Sequence, residues 1–253
     1  MPRTIKIHGV DVPLTTEPSI MKPQMEALMA SGLLERWAAD IDPRFCVRTI
    51  RLQSIDLFGK RVGFVKFEAD VTGRNADGSS DGEKVPGIVF LRGDSVAILV
   101  ILECPRAHDD LAREIYQTEE YAVLTVQPRF AARSFAFAEI PAGMLDGSDN
   151  FVGAAAKELE QELGSDFKIT FDELVPLGDA FFPSPGGCDE RIKLFACVHK
   201  VSRAFVEELE GRHTGCLEEN ERITLKIVPL EDLANLPDAK SQLAYWRWRN
   251  DDL

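Results

Sequence analysis

The sequence predicts an α+β protein. Strand-like runs dominate its first part and recur in its second, helical periodicity is confined to a few segments, and a polar, turn-rich tract separates two units. Residues 4–7 read as a short strand and residues 18–39 as a helix. Residues 46–55 and 61–71 are β-rich, and Asp56-Leu-Phe-Gly-Lys60 between them offers a glycine-containing hairpin turn. Asn75-Ala-Asp-Gly-Ser-Ser-Asp-Gly82 is polar and rich in turn formers, so a loop or boundary is expected there. This gives a β-rich N-terminal extension with one helix, residues 1–84, and a second domain over residues 85–253.

The second unit opens with strand-like residues 87–91 and 95–103, then a polar segment and the β-rich run 121–126. Ser134-Phe-Ala-Phe-Ala-Glu-Ile140 continues the strand pattern into Pro141-Ala-Gly143, where a loop must begin. Between residues 150 and 163 the period changes. Val152, Ala155, Ala156, Leu159 and Leu163 fall on one arc of a helix, which Gly164 can terminate. Later strands are expected at 174–181, 192–201 and 223–229, with helices near 204–210 and 239–249.

Composition narrows the function. A formal net charge of −13 repels a phosphate backbone and an acidic membrane surface, so neither nucleic acid nor membrane is an expected partner. No stretch approaches the roughly 20 apolar residues of a membrane-spanning helix. Cys46, Cys104, Cys188, Cys197 and Cys216 form no CxxC pair, and their odd number suits reduced thiols. With no secretory or transit pattern at the start, a cytoplasmic location is the expectation. The sequence contains no G-x4-GK[ST] loop, no G-x-S-x-G elbow and no HExxH among its four histidines, so those enzyme classes drop out. Trp246 and Trp248 read as packing or dimer contacts.

Chemistry concentrates on the helix. Glu158, Gln161 and Glu162 are spaced i, i+3, i+4 and share one edge. Two carboxylates one turn apart can hold Mg2+, which prefers hard oxygen ligands and substrate phosphates; the same pair can also be an ordinary wet face. Reading from Gly143, the chain runs Gly-Met-Leu-Asp-Gly-Ser-Asp-Asn-Phe-Val-Gly-Ala-Ala-Ala-Lys-Glu-Leu-Glu-Gln-Glu-Leu-Gly164. This resembles the Nudix box, G-x5-E-x7-R-E-U-x-E-E-x-G-U with U aliphatic. Both glycines, Glu158, Leu159 and Glu162 fit, whereas Asp149, Lys157, Gln161 and Ser165 depart. Asp149 and Lys157 keep the signs of the family's Glu/Arg brace without the arginine fork. Gln161 offers an oxygen but no charge.

The resemblance implies a Nudix α/β/α sandwich, with a mixed β-sheet between helices. It also implies Mg2+, with Mn2+ able to substitute, held by Glu158, Glu162, Gln161 and the Ala142 carbonyl. Val126-Gln-Pro-Arg-Phe130 and Glu139-Ile-Pro-Ala-Gly143 resemble the stretch before the box in ADP-ribose and ADP-sugar hydrolases. By that similarity Arg129 and Glu139 bind substrate, although Arg129 can equally be a surface arginine. Pro183-Ser-Pro-Gly-Gly-Cys-Asp-Glu190 resembles a loop of the same group, making Gly186, Gly187 and Glu190 substrate-binding candidates; the two glycines also suit a plain turn. Gly215-Cys-Leu-Glu-Glu-Asn-Glu-Arg-Ile223 is similar to an acidic loop that activates water, with Glu219 and Glu221 as alternative bases.

Residues 55–67 and Pro86-Gly-Ile-Val-Phe90 look like the extension of plant-type ADP-sugar diphosphatases. That branch implies a homodimer and hydrolysis of a nucleoside diphosphate sugar, ADP-glucose or ADP-ribose first. Two alternatives remain: a degenerate module that binds a nucleotide sugar without cutting it, and hydrolysis of another nucleotide such as UDP-glucose or a dinucleoside polyphosphate.

Overall fold

A computed structural model describes residues 3–105, 118–145, 153, 171–215 and 222–250. The chain forms two compact units, Met1–Asp94 with Ser184–Arg191, and Ser95–Pro183 with Ile192–Leu253. The expected helix of the second unit, residues 150–163, lies outside the described residues apart from Gly153.

In the first unit, alternating burial along residues 3–16 makes a hairpin of β1 (Arg3–Ile7) and β2 (Val10–Thr16). His8 and Gly9 turn it with φ of 50° and 79°, the mirror-image turn geometry that twisted strands favour. β2 was not expected, because Pro13 and the flanking threonines and acids dilute its Val10, Val12, Leu14 alternation. The single expected helix is two, α1 (Lys22–Ser31) and α2 (Leu33–Ala39). Gly32 separates them: its φ of 65° is left-handed and ends α1.

β3 (Phe45–Phe58) and β4 (Arg61–Arg74) form a long antiparallel pair, and β2 joins β3 in parallel. The tract expected as a loop or boundary is a turn over Asn75 to Ser79 followed by β5 (Ser80–Lys84), which pairs with β4. β6 (Ile88–Leu91), expected to open the second unit, also pairs with β4. Its Leu91 is fully buried in the first core with Phe67, Val65, Leu52, Leu28 and Leu34. That register explains the assignment: moving β6 elsewhere would expose Leu91 and strip β4 of a hydrogen-bonding neighbour.

The second unit is built on a mixed sheet ordered β11, β12, β7, β8, β14, β13, with β10 also on β7 and β9 also on β8. The strands are β7 (Ser95–Pro105), β8 (Thr118–Arg129), β9 (Ser134–Glu139), β10 (Ala142–Met144), β11 (Val175–Pro176), β12 (Ile192–Lys200), β13 (His213–Thr214) and β14 (Ile223–Pro229). β12 runs parallel to β7 and the other pairings are antiparallel. β7 is buried on both faces, as its unbroken apolar run requires.

Val96, Ile98 and Val100 face one cluster, which includes Val206 and Leu209 of α3 (Arg203–Leu209). Ala97, Leu99 and Ile101 face another, which includes Ala244 of α4 (Ala239–Asn250) and has Trp248 packed against it. Helices therefore cover both faces of the sheet, the α/β/α layering expected. The strand expected over 174–181 shrinks to β11, with only an isolated bridge between Phe181 and Ile192 beyond it. A Pro-Leu-Gly-Asp sequence there interrupts the ladder, and Gly178 takes φ of 66°.

Candidate functional site

The β8–β9 hairpin places Glu139 opposite Thr125 and Arg129 opposite Ser134. A 3-10 turn over Phe130–Ala132 links the strands. Glu139 ends β9 with 4% of its surface exposed, so its carboxylate needs partners in place of water. Both oxygens have one. Arg129 Nε donates to Oε1 at 2.7 Å, and Lys240 Nζ donates to Oε2. Lys240 also donates to Asp238 Oδ1 at 3.0 Å.

Asp238 is the N-cap of α4: its Oδ2 accepts from Ser241 N at 3.1 Å and from Ser241 Oγ at 2.5 Å. Ser241 Oγ in turn accepts from Ile140 N at 3.1 Å. The end of β9 is thus tied to the start of α4 by a continuous chain of hydrogen bonds. Two cations and two carboxylates balance in a setting where an unpaired charge would cost several kcal/mol. Arg129 uses only Nε inward, and its side chain is 43% exposed. Its two terminal nitrogens have no partner among the described residues and can meet an anion.

Ala142 follows two residues after Ile140. It pairs with Ala97, while Ile98 N donates to the neighbouring Pro141 carbonyl at 2.9 Å. The backbone that opens the loop is therefore registered against the buried β7. Glu158, Gln161, Glu162, Glu219 and Glu221 lie outside the described residues, as do Asp149 and Lys157. Among the described residues, no group of three or more His, Cys, Asp and Glu side chains could hold a metal ion. The candidate donor set of carbonyl, amide and carboxylates is all oxygen, which is the chemistry Mg2+ takes.

Gly186, Gly187 and Glu190 belong to the first unit. Gly187 O accepts from Phe90 N at 2.7 Å, laying the segment beside β6. A Cβ at either glycine would meet nothing within 4 Å, and neither has a left-handed φ, so the local fold does not require glycine there. Glu190 pairs with Arg92 at 3.3 Å. Its neighbour Asp189 accepts from Arg92 N at 2.7 Å and from Gly93 N at 3.1 Å, closing the end of β6. Burial pushes the Asp189 carboxyl above the usual carboxylate range, opposed by those two N–H donors.

The structure brings Arg129 and Glu139 together on one hairpin, with Ala142 a short step along the chain. It adds Lys240, Asp238 and Ser241, which sequence reasoning missed. A signal existed in Pro237-Asp-Ala-Lys-Ser241, an N-cap pattern with a lysine in the first turn, where the helix dipole disfavours a cation.

A mixed sheet between helices, with a charged hairpin leading into a registered loop, defines a family rather than an individual. Residues 112–248, over half of the chain, match the family described as "NUDIX domain", and the protein belongs to that family. The chain is similar to "Nudix hydrolase 14, chloroplastic" of Arabidopsis thaliana, with 36% identity over 220 residues. The match covers 80% of this chain and 65% of that protein, so the chain spans just under two thirds of that relative's length.

Proposed function

We propose that the chain hydrolyses the diphosphate bond of a nucleoside diphosphate sugar, ADP-glucose or ADP-ribose first, to a nucleoside monophosphate and a sugar phosphate, glucose 1-phosphate from ADP-glucose or ribose 5-phosphate from ADP-ribose. The observation that carries this reading is the orientation of Arg129. It is tethered through Nε to a buried glutamate with both terminal nitrogens left for an anion. A guanidinium so held can donate to diphosphate or sugar oxygens in fixed geometry. Gly186 and Gly187 stay ligand-binding candidates of the first unit, where the local packing does not need glycine.

Mg2+, or Mn2+ in its place, would be held by Glu158, Gln161, Glu162 and the Ala142 carbonyl, and would supply charge neutralisation on the diphosphate. Glu219 or Glu221 would take a proton from the attacking water, whose oxygen bonds to phosphorus as the bridging P–O bond breaks. The leaving phosphate carries away that electron pair. The hydrogen bond from Ile140 N to Ser241 Oγ and the pairing of Ala142 with Ala97 would keep the Ala142 backbone in place.

The test is to incubate the purified chain with ADP-glucose, ADP-ribose or UDP-glucose plus magnesium and to resolve the products by chromatography. Nucleoside monophosphate and the matching sugar phosphate are expected, and Glu162→Gln should lower turnover roughly 100-fold with the fold intact. Near-normal activity in that variant removes the metal assignment. Gln161, neutral where the family carries a carboxylate, favours a second reading in which the chain binds the nucleotide sugar without cutting it. Saturable binding with no product selects that one.

A homodimer joined through the first unit belongs to the same proposal. So does a reducing, cytoplasmic setting. The four described cysteines, Cys46, Cys104, Cys188 and Cys197, are free, and burial pushes the Cys197 thiol up to about 12. Among the described residues, no helix is long and apolar enough to cross a membrane.

A further inference from the structure

We propose that Lys240 is a positioning residue: by occupying one oxygen of Glu139 it keeps Arg129 open for the anionic substrate. The inference rests on the diphosphate-sugar reading above. An arginine and a carboxylate left alone tend to close into a two-pronged pair, with Nε and a terminal nitrogen on the two oxygens. Here Arg129 reaches Glu139 Oε1 through Nε alone at 2.7 Å, while the Lys240 ammonium takes Oε2. Closing the second prong would bring a second cation onto Oε2, in competition with Lys240 for that oxygen and against its charge.

Lys240 is held against leaving. Its side chain is 11% exposed, and Asp238, itself 10% exposed, accepts its second hydrogen bond at 3.0 Å. Asp238 is locked by Ser241, whose hydroxyl is locked by Ile140 N. The lysine also breaks a local rule. It is the second residue of α4, where the helix dipole repels a cation and where an exposed lysine would simply turn to water. A buried cation placed there against local preference marks a position chosen for something other than helix stability. Its two carboxylate partners make the placement tolerable, and what it does there is divide the donors on Glu139.

Lys240→Met frees Oε2. Arg129 then closes onto both oxygens and withdraws a terminal donor from the substrate. The expected result with ADP-glucose is a KM raised about tenfold with kcat within about threefold of the parent chain. Lys240→Arg, which keeps a charged donor to Oε2, restores KM. An arginine-selective 15N NMR spectrum supplies a readout that needs no turnover. The terminal nitrogens of Arg129, assigned by their loss in Arg129→Lys, should rotate freely in the parent chain and become restricted in Lys240→Met.

Unchanged KM together with unchanged rotation overturns the proposal, as does a drop in Tm with KM unmoved, which would make Lys240 structural only. If Lys240→Met does not fold, the parent spectrum decides: restricted Arg129 terminal nitrogens in the ligand-free chain overturn the proposal and free rotation sustains it. A parent chain that cleaves no diphosphate sugar sinks the functional reading, and the rotation measurement still decides the coupling.

Discussion

Resemblance made Glu139 a substrate-binding candidate, and nothing in the sequence showed the network that holds it. Its place on one hairpin with Arg129 is set by strand register. Its second cation stands 101 positions away, and no periodicity links the two. Burial likewise tunes His199 on β12. Desolvation lowers its pKa below the ordinary 6.5, with Glu173 partly opposing. The unfolded chain therefore takes up a proton at higher pH than the folded one, so stability should fall as pH drops through 6.5 toward the folded value. Thermal melts across that range should show Tm declining, and His199→Gln should flatten the decline. An equally steep profile in the variant would assign the pH dependence to other groups.

Among the elements, those that differ from expectation do so each for its own physical reason. Gly32 splits the helix expected over residues 18–39, because a left-handed residue changes chain direction without disturbing the apolar count on either side. β5 hides in a polar tract because residues on both of its faces meet water and its pairing with β4 is made by backbone groups. β6 reads the same whichever sheet it joins. What holds it on β4 is close backbone contact at Gly87, whose carbonyl accepts from Ala69 N at 2.8 Å. A Cβ at Gly87 would lie 2.1 Å from the Ala69 carbonyl oxygen. Gly87→Ala should push the strands apart and cost about 1–3 kcal/mol. The loss should appear in denaturant melts and as faster amide exchange over residues 88–91, and unchanged exchange there would contradict this account of the pairing.

At the scale of the whole molecule, the two units bury their apolar surface differently. In the second, β7 is covered on both faces, and α3 and α4 do the covering. In the first, α1 and α2 supply buried residues to the core face. Phe58, Ile88 and Phe90 remain exposed at 53%, 57% and 40%. The Phe58, Phe64 and Phe90 rings form a continuous row, with centroids 5.4 Å and 4.9 Å apart. Such a row on an exposed surface supports the proposed homodimer. Light scattering after size exclusion should return twice the 28.2 kDa chain mass, and Phe58→Glu with Phe90→Glu should shift it to the single mass. A parent chain eluting as one copy at micromolar concentration ends that proposal.

By itself the sequence determined what is local: the period of most strands and helices, the nearness of Arg129 and Glu139 along the chain, the spacing of Glu158 and Glu162, and a box whose order along the chain identifies its family. These depend on period and neighbour chemistry, which are properties of the chain as written. Only the tertiary structure decided which sheet takes β6 and the Gly186, Gly187 segment, and which buried cation shares Glu139 with Arg129. Those choices are made between residues far apart in the chain, by hydrogen-bond register and the cost of an unpaired buried charge, and neither quantity exists until the chain has folded.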